Sequence, residues 1–225
     1  MTAVGSAPDF DTLILAGGRA SRMGGVDKAG LAVGATPMLV SVAQAAAAAG
    51  TSRLIIVGPT RAGAVHDGVA TLAAGRTGWL GWVQEEPPGS GPVAGLRRGL
   101  ASVAAPWLVL LAADLPFLTP AHIRELLGAG LRTARDPELR PGVVCTDPTG
   151  QPQWLTSCWQ TSSLRAALAA YSGDSLRGVL ASLNPAAIRL EVPAGDPPPW
   201  LDCDTPDDLA TARRAWTERA DDPGG

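Results

Sequence analysis

The amino-acid sequence predicts one three-layer α/β domain, a mostly parallel sheet with helices on both faces. Three observations carry that expectation. Short apolar runs, TLIL at 12–15, RLIIV at 53–57 and WLVLLA at 107–112, have the continuous hydrophobicity of strands buried on both faces. Helical stretches stand between them, so strand and helix alternate through the first half. Finally, 225 residues suit one core, and neither an internal repeat nor a long linker divides them.

Each element follows from local chemistry. Residues 1–9 read as a loose tail. The strand at 12–15 ends in Ala16-Gly17-Gly18, a tight turn. An Ala-rich helix spans 37–49, with Pro37 in its first turn and Gly50 as its stop. Strands follow at 53–57, before Gly58-Pro59, and at 81–84. The run EEPPGSGP (85–92) is a loop and 93–103 a helix. After the strand at 107–112, Thr119 caps a helix over 120–128, and 132–141 is a polar connector. Strands at 143–146 and 154–159 flank a turn at 147–150. Short helices are expected at 162–171 and 175–183, and late strands at 188–192 and 200–203. Thr205-Pro206-Asp207-Asp208 opens a last helix to about 220, and 221–225 is a second loose tail.

Composition narrows the function classes. Apolar residues make up 46% and charged residues 17%, a globular balance. A net charge of -3 argues against a broad nucleic-acid face, leaving room for a small cationic site. Cys145, Cys158 and Cys203 are widely spaced without a CxxC pair, and His66 and His122 are the only imidazoles. A zinc site or disulfide framework has little support, and reduced thiols in the cytoplasm are the plain expectation. The N-terminus lacks a signal-peptide pattern, and the longest apolar run, 104–113, is too short to span a bilayer, so no membrane association is expected. His66 reads as a loop residue and His122 as a first-turn helix residue, both without a chemical role. One bias is informative: seventeen arginines accompany a single lysine, Lys28. Ammonium is a compact charge and guanidinium a wide fork, so Lys28 marks either a place the fork does not fit or a chance survivor.

The most informative stretch is LAGGRASRMGGVDK (15–28). It leaves a strand, so its backbone lies at the ligand edge of the sheet. Gly17 and Gly18 permit a sharp turn and close approach to a ligand, and successive amides there can cradle phosphate. Arg19, Arg22 and Lys28 add three cations in an acidic protein, which suits a triphosphate. A Gly-rich surface loop with solvated arginines is the plainer alternative. The pattern is neither a P-loop nor a dinucleotide fingerprint.

These residues resemble the molybdenum-cofactor guanylyltransferases within the nucleotidyltransferase superfamily. The similarity continues through PPGSGPVAGL (87–96), LAADLPFL (111–118) and DCDTPDDL (202–209), four blocks in the family's order across nearly the whole chain. The resemblance implies a single Rossmann-like domain. It also implies nucleotide contacts from Leu15, Ala16, Gly17, Gly18, Arg19, Lys28, Glu86, Pro92 and Gly95, and catalytic roles for Arg22, Lys28 and Asp114.

Asp114 follows an apolar strand, where a carboxylate can hold Mg²⁺ against phosphate oxygens; it could equally cap the turn before Pro116. By resemblance it is the family's metal-binding aspartate. Asp202 and Asp204 bracket Cys203 at strand spacing, share a face and could complete that site, Asp204 being favoured. Guanylyltransferases of this type often carry Asn at both positions, and the Asp pair looks closer to the cytidylyltransferase branch. For base recognition, a carboxylate can accept from guanine N1–H and its 2-amino group. Glu85 and Glu86 are the candidates, Glu86 being the closer match to the family. QPQWL (151–155) stands where such enzymes tend to have His-Pro, so the acceptor side departs from the pattern.

The expected reaction is transfer of GMP from GTP to the phosphate of a molybdopterin-type acceptor, with release of pyrophosphate. The nucleophile is already anionic, so no general base is needed. Mg²⁺ on Asp114 and Asp204 would bridge the acceptor and the α-phosphate, while Lys28 and Arg22 stabilise the triphosphate. The partners implied are GTP, the pterin acceptor and proteins of the cofactor pathway. The rivals are a cytidylyltransferase or a transferase for another phosphorylated acceptor, a non-catalytic nucleotide-binding protein, and a metal-dependent glycosyltransferase using Asp202-Cys203-Asp204.

Overall fold

The computed structural model describes residues 9–17, 27–74, 79–134 and 140–221. Its strands are β1 (Phe10–Leu15), β2 (Ala32–Val33), β3 (Thr36–Pro37), β4 (Arg53–Val57), β5 (Trp79–Val83), β6 (Trp107–Ala112), β7 (Gly142–Thr146), β8 (Pro152–Gln160) and β9 (Ala186–Ile188). The helices are α1 (Met38–Ala49), α2 (Ala64–Ala74), α3 (Pro92–Leu100), α4 (Pro120–Thr133), α5 (Thr161–Ala170), α6 (Leu176–Ala181) and α7 (Pro206–Asp221). A short 3-10 turn occupies Lys28–Gly30.

Seven strands form one sheet in the order β5-β4-β1-β6-β8-β7-β9. β8 runs antiparallel to β6 and β7, and the other pairings in this sheet are parallel. β1 lies between β4 and β6, so the chain reverses its direction of travel across the sheet at β1 and β6. Ligands of doubly wound sheets bind beyond the carboxyl ends of strands at such a switch.

Side-chain alternation along the buried strands builds the three layers. Ile14, Ile56, Val109 and Leu111 pack against α1, α2 and α4. Leu13, Leu15, Ile55, Val57, Leu108 and Leu110 pack against α3, α5 and α6 on the opposite face. A smaller cluster joins Val33 and Met38 to Phe117, Cys203, Leu209 and Ala212. It fastens α7 to the β2–β3 hairpin, helped by Arg213 Nε donating to Ala32 O at 3.0 Å.

Several expectations need correction. The helix over 120–128 continues to Thr133, so Arg132 is helical rather than part of a connector. Its glycines obscured this: a Cβ on Gly130 would lie 3.0 Å from the Trp107 ring and 3.3 Å from Cys158 Sγ, so glycine there serves close packing and ends nothing. The stretch holding His66 is α2, where His66 is exposed. Pro37 is the N-cap of α1 and belongs to β3, not to the helix's first turn. The late strand lies at 186–188, and 200–203 pairs with nothing in the sheet. Thr205 does cap α7: its Oγ1 accepts from Asp208 N at 3.2 Å, and its own amide donates back to Asp208 Oδ2 at 2.8 Å.

Candidate active site at the carboxyl edge of the sheet

The site begins where β1, β4 and β6 end together. Ala16 N donates to Val57 O at 2.7 Å, and Ala113 N donates to Leu15 O at 3.2 Å. Gly58 then crosses the turn with φ +146, and a Cβ there would lie 2.8–2.9 Å from the Ala16–Gly17 peptide. Glycine is required at this crossing, because the two backbones touch. The turn chemistry that marked Gly58-Pro59 as a stop thus seats one wall of the site.

Beyond these strand ends lies a cavity of about 750 Å³, lined by Leu15, Gly17, Pro92, Gly95 and Asp114 among others. Its size falls within the range of roughly 300–1,000 Å³ typical of small-molecule sites. Five residues assigned from sequence therefore share one hollow. Gly91, with φ +95, caps α3, and Pro92 occupies its first turn, so the helix N-terminus opens on the cavity. Gly99, one turn beyond Gly95, lets α3 lie against the sheet: a Cβ would sit 2.5 Å from Leu13 Cδ1.

The two glutamates of the loop separate clearly. Glu85 is half-buried and lines the cavity; Glu86 is exposed and does not. Glu85 Oε1 accepts from Gly89 N at 3.0 Å, and its Oε2 lies 4.0 Å from where a Gly95 side chain would begin. The structure thus places Glu85, not the expected Glu86, against the hollow. The resemblance favoured Glu86, but only the fold of the EEPPGSG turn separates the faces of two adjacent acids.

A second group of charges gathers around Asp114. Asp114 lines the cavity, half-buried. Its burial, and then the neighbouring Asp202 and Asp204 carboxylates, push its carboxyl up to about 6, against the opposing pull of its own backbone amide and Lys28. Asp202 is also raised, first by the protein around it and then by Asp204 and Asp208, although its side chain is exposed. Cys203 between them is fully buried and 200–203 forms no strand, so the strand alternation expected to put the two aspartates on one face is absent. Lys28 Nζ donates to Asp204 Oδ1 at 2.7 Å across 176 residues of sequence. The Val33–Cys203–Leu209 cluster makes that meeting possible by binding the segment after Lys28 to the start of α7.

Among the described residues no three His, Cys, Asp or Glu side chains form a closed metal cage. The donor set nevertheless fits a hard divalent cation. It is all oxygen, it is crowded with negative charge that one lysine opposes, and Mg²⁺ is usually held by one or two carboxylates plus substrate phosphates. Ala16 contributes through its backbone: its carbonyl accepts from Arg61 Nη2 at 2.6 Å. Gly18, Arg19 and Arg22 lie outside the described residues. Leu155, the last residue of the QPQWL stretch, also lines the cavity, as does Asp174, which was not singled out from sequence. Asp174 sits in a short α5–α6 connection whose only sequence signal is SGDS, an ordinary turn. No helix among the described residues is long and apolar enough to cross a membrane.

Comparison with known proteins agrees with this geometry. The family described as MobA-like NTP transferase domain matches residues 12–190. A molybdenum cofactor guanylyltransferase of Pseudomonas aeruginosa is 34% identical over 216 residues, 92% of this chain and 96% of that protein. The corresponding protein of Cupriavidus metallidurans is 31% identical over 91% of this chain and 94% of its own length. The match to that of Cupriavidus taiwanensis, 34% identical, spans 54% of this chain and only 56% of the relative. Among solved structures, a nucleotidyl transferase of Methanothermobacter thermautotrophicus superposes with a TM-score of 0.68 at 17% identity, covering 93% of this chain and 98% of the other. Molybdopterin-guanine dinucleotide biosynthesis protein A of Archaeoglobus fulgidus gives 0.66 at 17% identity, covering 92% and 99%. These two show the shared fold.

Proposed function

We propose, from the premise that this chain belongs to the MobA-like NTP transferase family, that it transfers GMP from GTP to the phosphate of a molybdopterin-type acceptor and releases pyrophosphate. The observation that carries this reading is one cavity lined by Glu85, the α3 N-terminus and Asp114, with the Lys28–Asp204 pair near enough to act on the Asp114 carboxyl.

The chain's own residues divide the work. Glu85 offers carboxylate lone pairs to guanine N1–H and the 2-amino group, a donor pair that cytosine does not present in the same geometry. Gly95 leaves room for the base plane against Leu15. Gly17 brings backbone close to the phosphates. Lys28 exchanges its bond to Asp204 for phosphate oxygens and opposes the charge that builds on the departing pyrophosphate. Asp114 and Asp204 would hold Mg²⁺, with Asp202 as the further candidate ligand, and the ion would supply neutralisation of phosphate charge. The attacking phosphate is already anionic, so the site performs positioning and electrostatics without a proton acceptor. Leu155 and Asp174 border the space left for the acceptor. Molybdenum-cofactor pathway proteins are the partners this reading implies.

The test is pyrophosphate release with each nucleoside triphosphate and Mg²⁺, with and without molybdopterin. Release with GTP that requires the pterin supports the reading. Release with CTP instead assigns the chain to cytidylyl transfer, and none with any triphosphate leaves a binding protein. Glu85→Gln should raise the GTP KM by about 10- to 100-fold, since a hydrogen bond to a charged group is worth roughly 1.5–3 kcal/mol. Glu86→Gln should leave it within about twofold.

A further inference from the structure

Arg61 stands just beyond the cavity wall, four residues after β4, and sequence analysis gave it no role. Its side chain is only 9% exposed, unusual for an arginine on a loop. Among the described residues the guanidinium makes four hydrogen bonds. Nε and Nη2 donate to Asp27 Oδ2 and Oδ1 at 2.5 and 2.8 Å, a two-pronged contact. Nη2 also donates to Ala16 O at 2.6 Å, and Nη1 to Pro59 O at 3.1 Å. Room for this arrangement is built in: a Cβ on Gly30 would lie 3.1 Å from Asp27 Oδ2.

Two of the three residues it bonds, Ala16 and Asp27, have one thing in common. Ala16 precedes Gly17 at the exit of β1, and Asp27 precedes Lys28. They flank the glycine-rich segment on either side, and one rigid fork holds both. Asp27 is the N-cap of the Lys28–Gly30 turn and makes no side-chain cap bond to it; among the described residues its carboxylate meets Arg61 instead. A simple surface ion pair would not need a carbonyl from the far side of the segment.

We propose that Arg61 is a positioning residue for nucleotidyl transfer, setting where the glycine-rich segment leaves β1 and where it delivers Lys28 to Asp204. The proposal rests on the transferase reading for its consequence, though not for its geometry. Arg61 acts through Lys28 and need not touch the nucleotide. A lysine cannot replace it, because one ammonium does not present the planar fork that meets both carboxylate oxygens and a carbonyl together.

The experiment pairs kinetics with a readout independent of turnover. Lys28 is the single lysine of the chain, so amine labelling followed by peptide mass mapping reports on its ε-amine alone among side chains. In the full-length protein without nucleotide, Arg61→Ala and Arg61→Lys should each label Lys28 several-fold faster than wild type, with Asp204→Asn as the reference for a released amine. Turnover of Arg61→Ala should fall on the order of 10²-fold, the scale on which a misplacement of about 1 Å is felt. In a Lys28→Ala background the further loss should be absent, since the effect runs through that side chain. Asp27→Asn, a milder change should Arg61→Ala fold poorly, should shift labelling and rate in the same directions by less. Unchanged labelling in well-folded variants overturns the proposal, as do losses that multiply in the double variant, which mean direct contact with substrate. If wild type turns over no triphosphate, the transferase reading fails while the labelling comparison still decides whether Arg61 holds Lys28.

Discussion

Asp114 carries two costs at once, and both are measurable. Its carboxyl is raised to about 6 from an ordinary 3.8 by burial and the nearby aspartates. A raised folded-state value means that its stabilising contribution is complete below about 3.8 and is lost as pH climbs through about 6. At pH 7.5 the ionised, crowded carboxylate therefore costs the metal-free protein roughly 1–3 kcal/mol. Asp114→Asn should raise metal-free stability in urea unfolding at that pH and change little near pH 4. The same variant should lose turnover by about 10²–10³ or more and lose the Mg²⁺-dependent rise in melting temperature. An Asp114→Asn protein that remains active and still responds to Mg²⁺ removes this residue from the metal site. Lys28 gives the companion test. Its side chain is 19% exposed and held at 2.7 Å on Asp204, a place for a compact charge. Lys28→Ala should cut turnover by about 10²–10³. Lys28→Arg should also be impaired despite its charge; full activity there would mean the lone lysine is incidental.

At the scale of elements, α4 shows what local chemistry encodes. Thr119 caps it, and His122 completes the box: His122 N donates to Thr119 Oγ1 at 3.4 Å, and Thr119 N donates to His122 Nδ1 at 3.1 Å. The other ring nitrogen meets Glu191 O at 3.1 Å, which assigns the proton to Nε2. Burial lowers this imidazole from its ordinary 6.5, opposed by the Glu191 carbonyl and the carboxylates of Glu125 and Asp196. A lowered histidine contributes stability above its unfolded value and loses it as pH falls below that point. His122→Gln, which keeps a capping-box side chain without a titrating group, should flatten the loss of stability between pH 7.5 and 5.5. The comparison belongs in the Asp114→Asn background, because Asp114 acts in the opposite sense over part of that range. Equal acid sensitivity in both proteins would mean the cap does not titrate. The Thr119 cap was readable from sequence. The length of the helix was not, because Gly128 and Gly130 look like stops until Trp107 is seen packed against Gly130.

Across the whole molecule, what was legible followed chain-local rules. Buried strands, caps and turn glycines are written in adjacent residues, so the layers and the end of β1 could be anticipated. The meeting of Lys28 with Asp204, the grip of Arg61 on both flanks of the glycine-rich segment and the choice of Glu85 over Glu86 depend on long-range packing through the small Val33–Cys203 cluster and on the fold of one turn. No periodicity reports those. α2 was missed because Gly63 stands just before it and Gly68 within it; a Cβ on Gly68 would lie 2.7 Å from Val40, so that glycine too reflects helix packing. The central claim is that this assembly joins a guanylyl group to a pterin phosphate. It is tested most directly by incubating the protein with molybdopterin, Mg²⁺ and GTP radiolabelled at the α-phosphorus, then identifying the labelled product by chromatography and mass. The account predicts label in a pterin–guanine dinucleotide, formed with one pyrophosphate per product and absent with the Asp114→Asn protein. Label that stays in GTP or appears only as GMP or GDP would contradict it, as would a dinucleotide formed from CTP in preference to GTP.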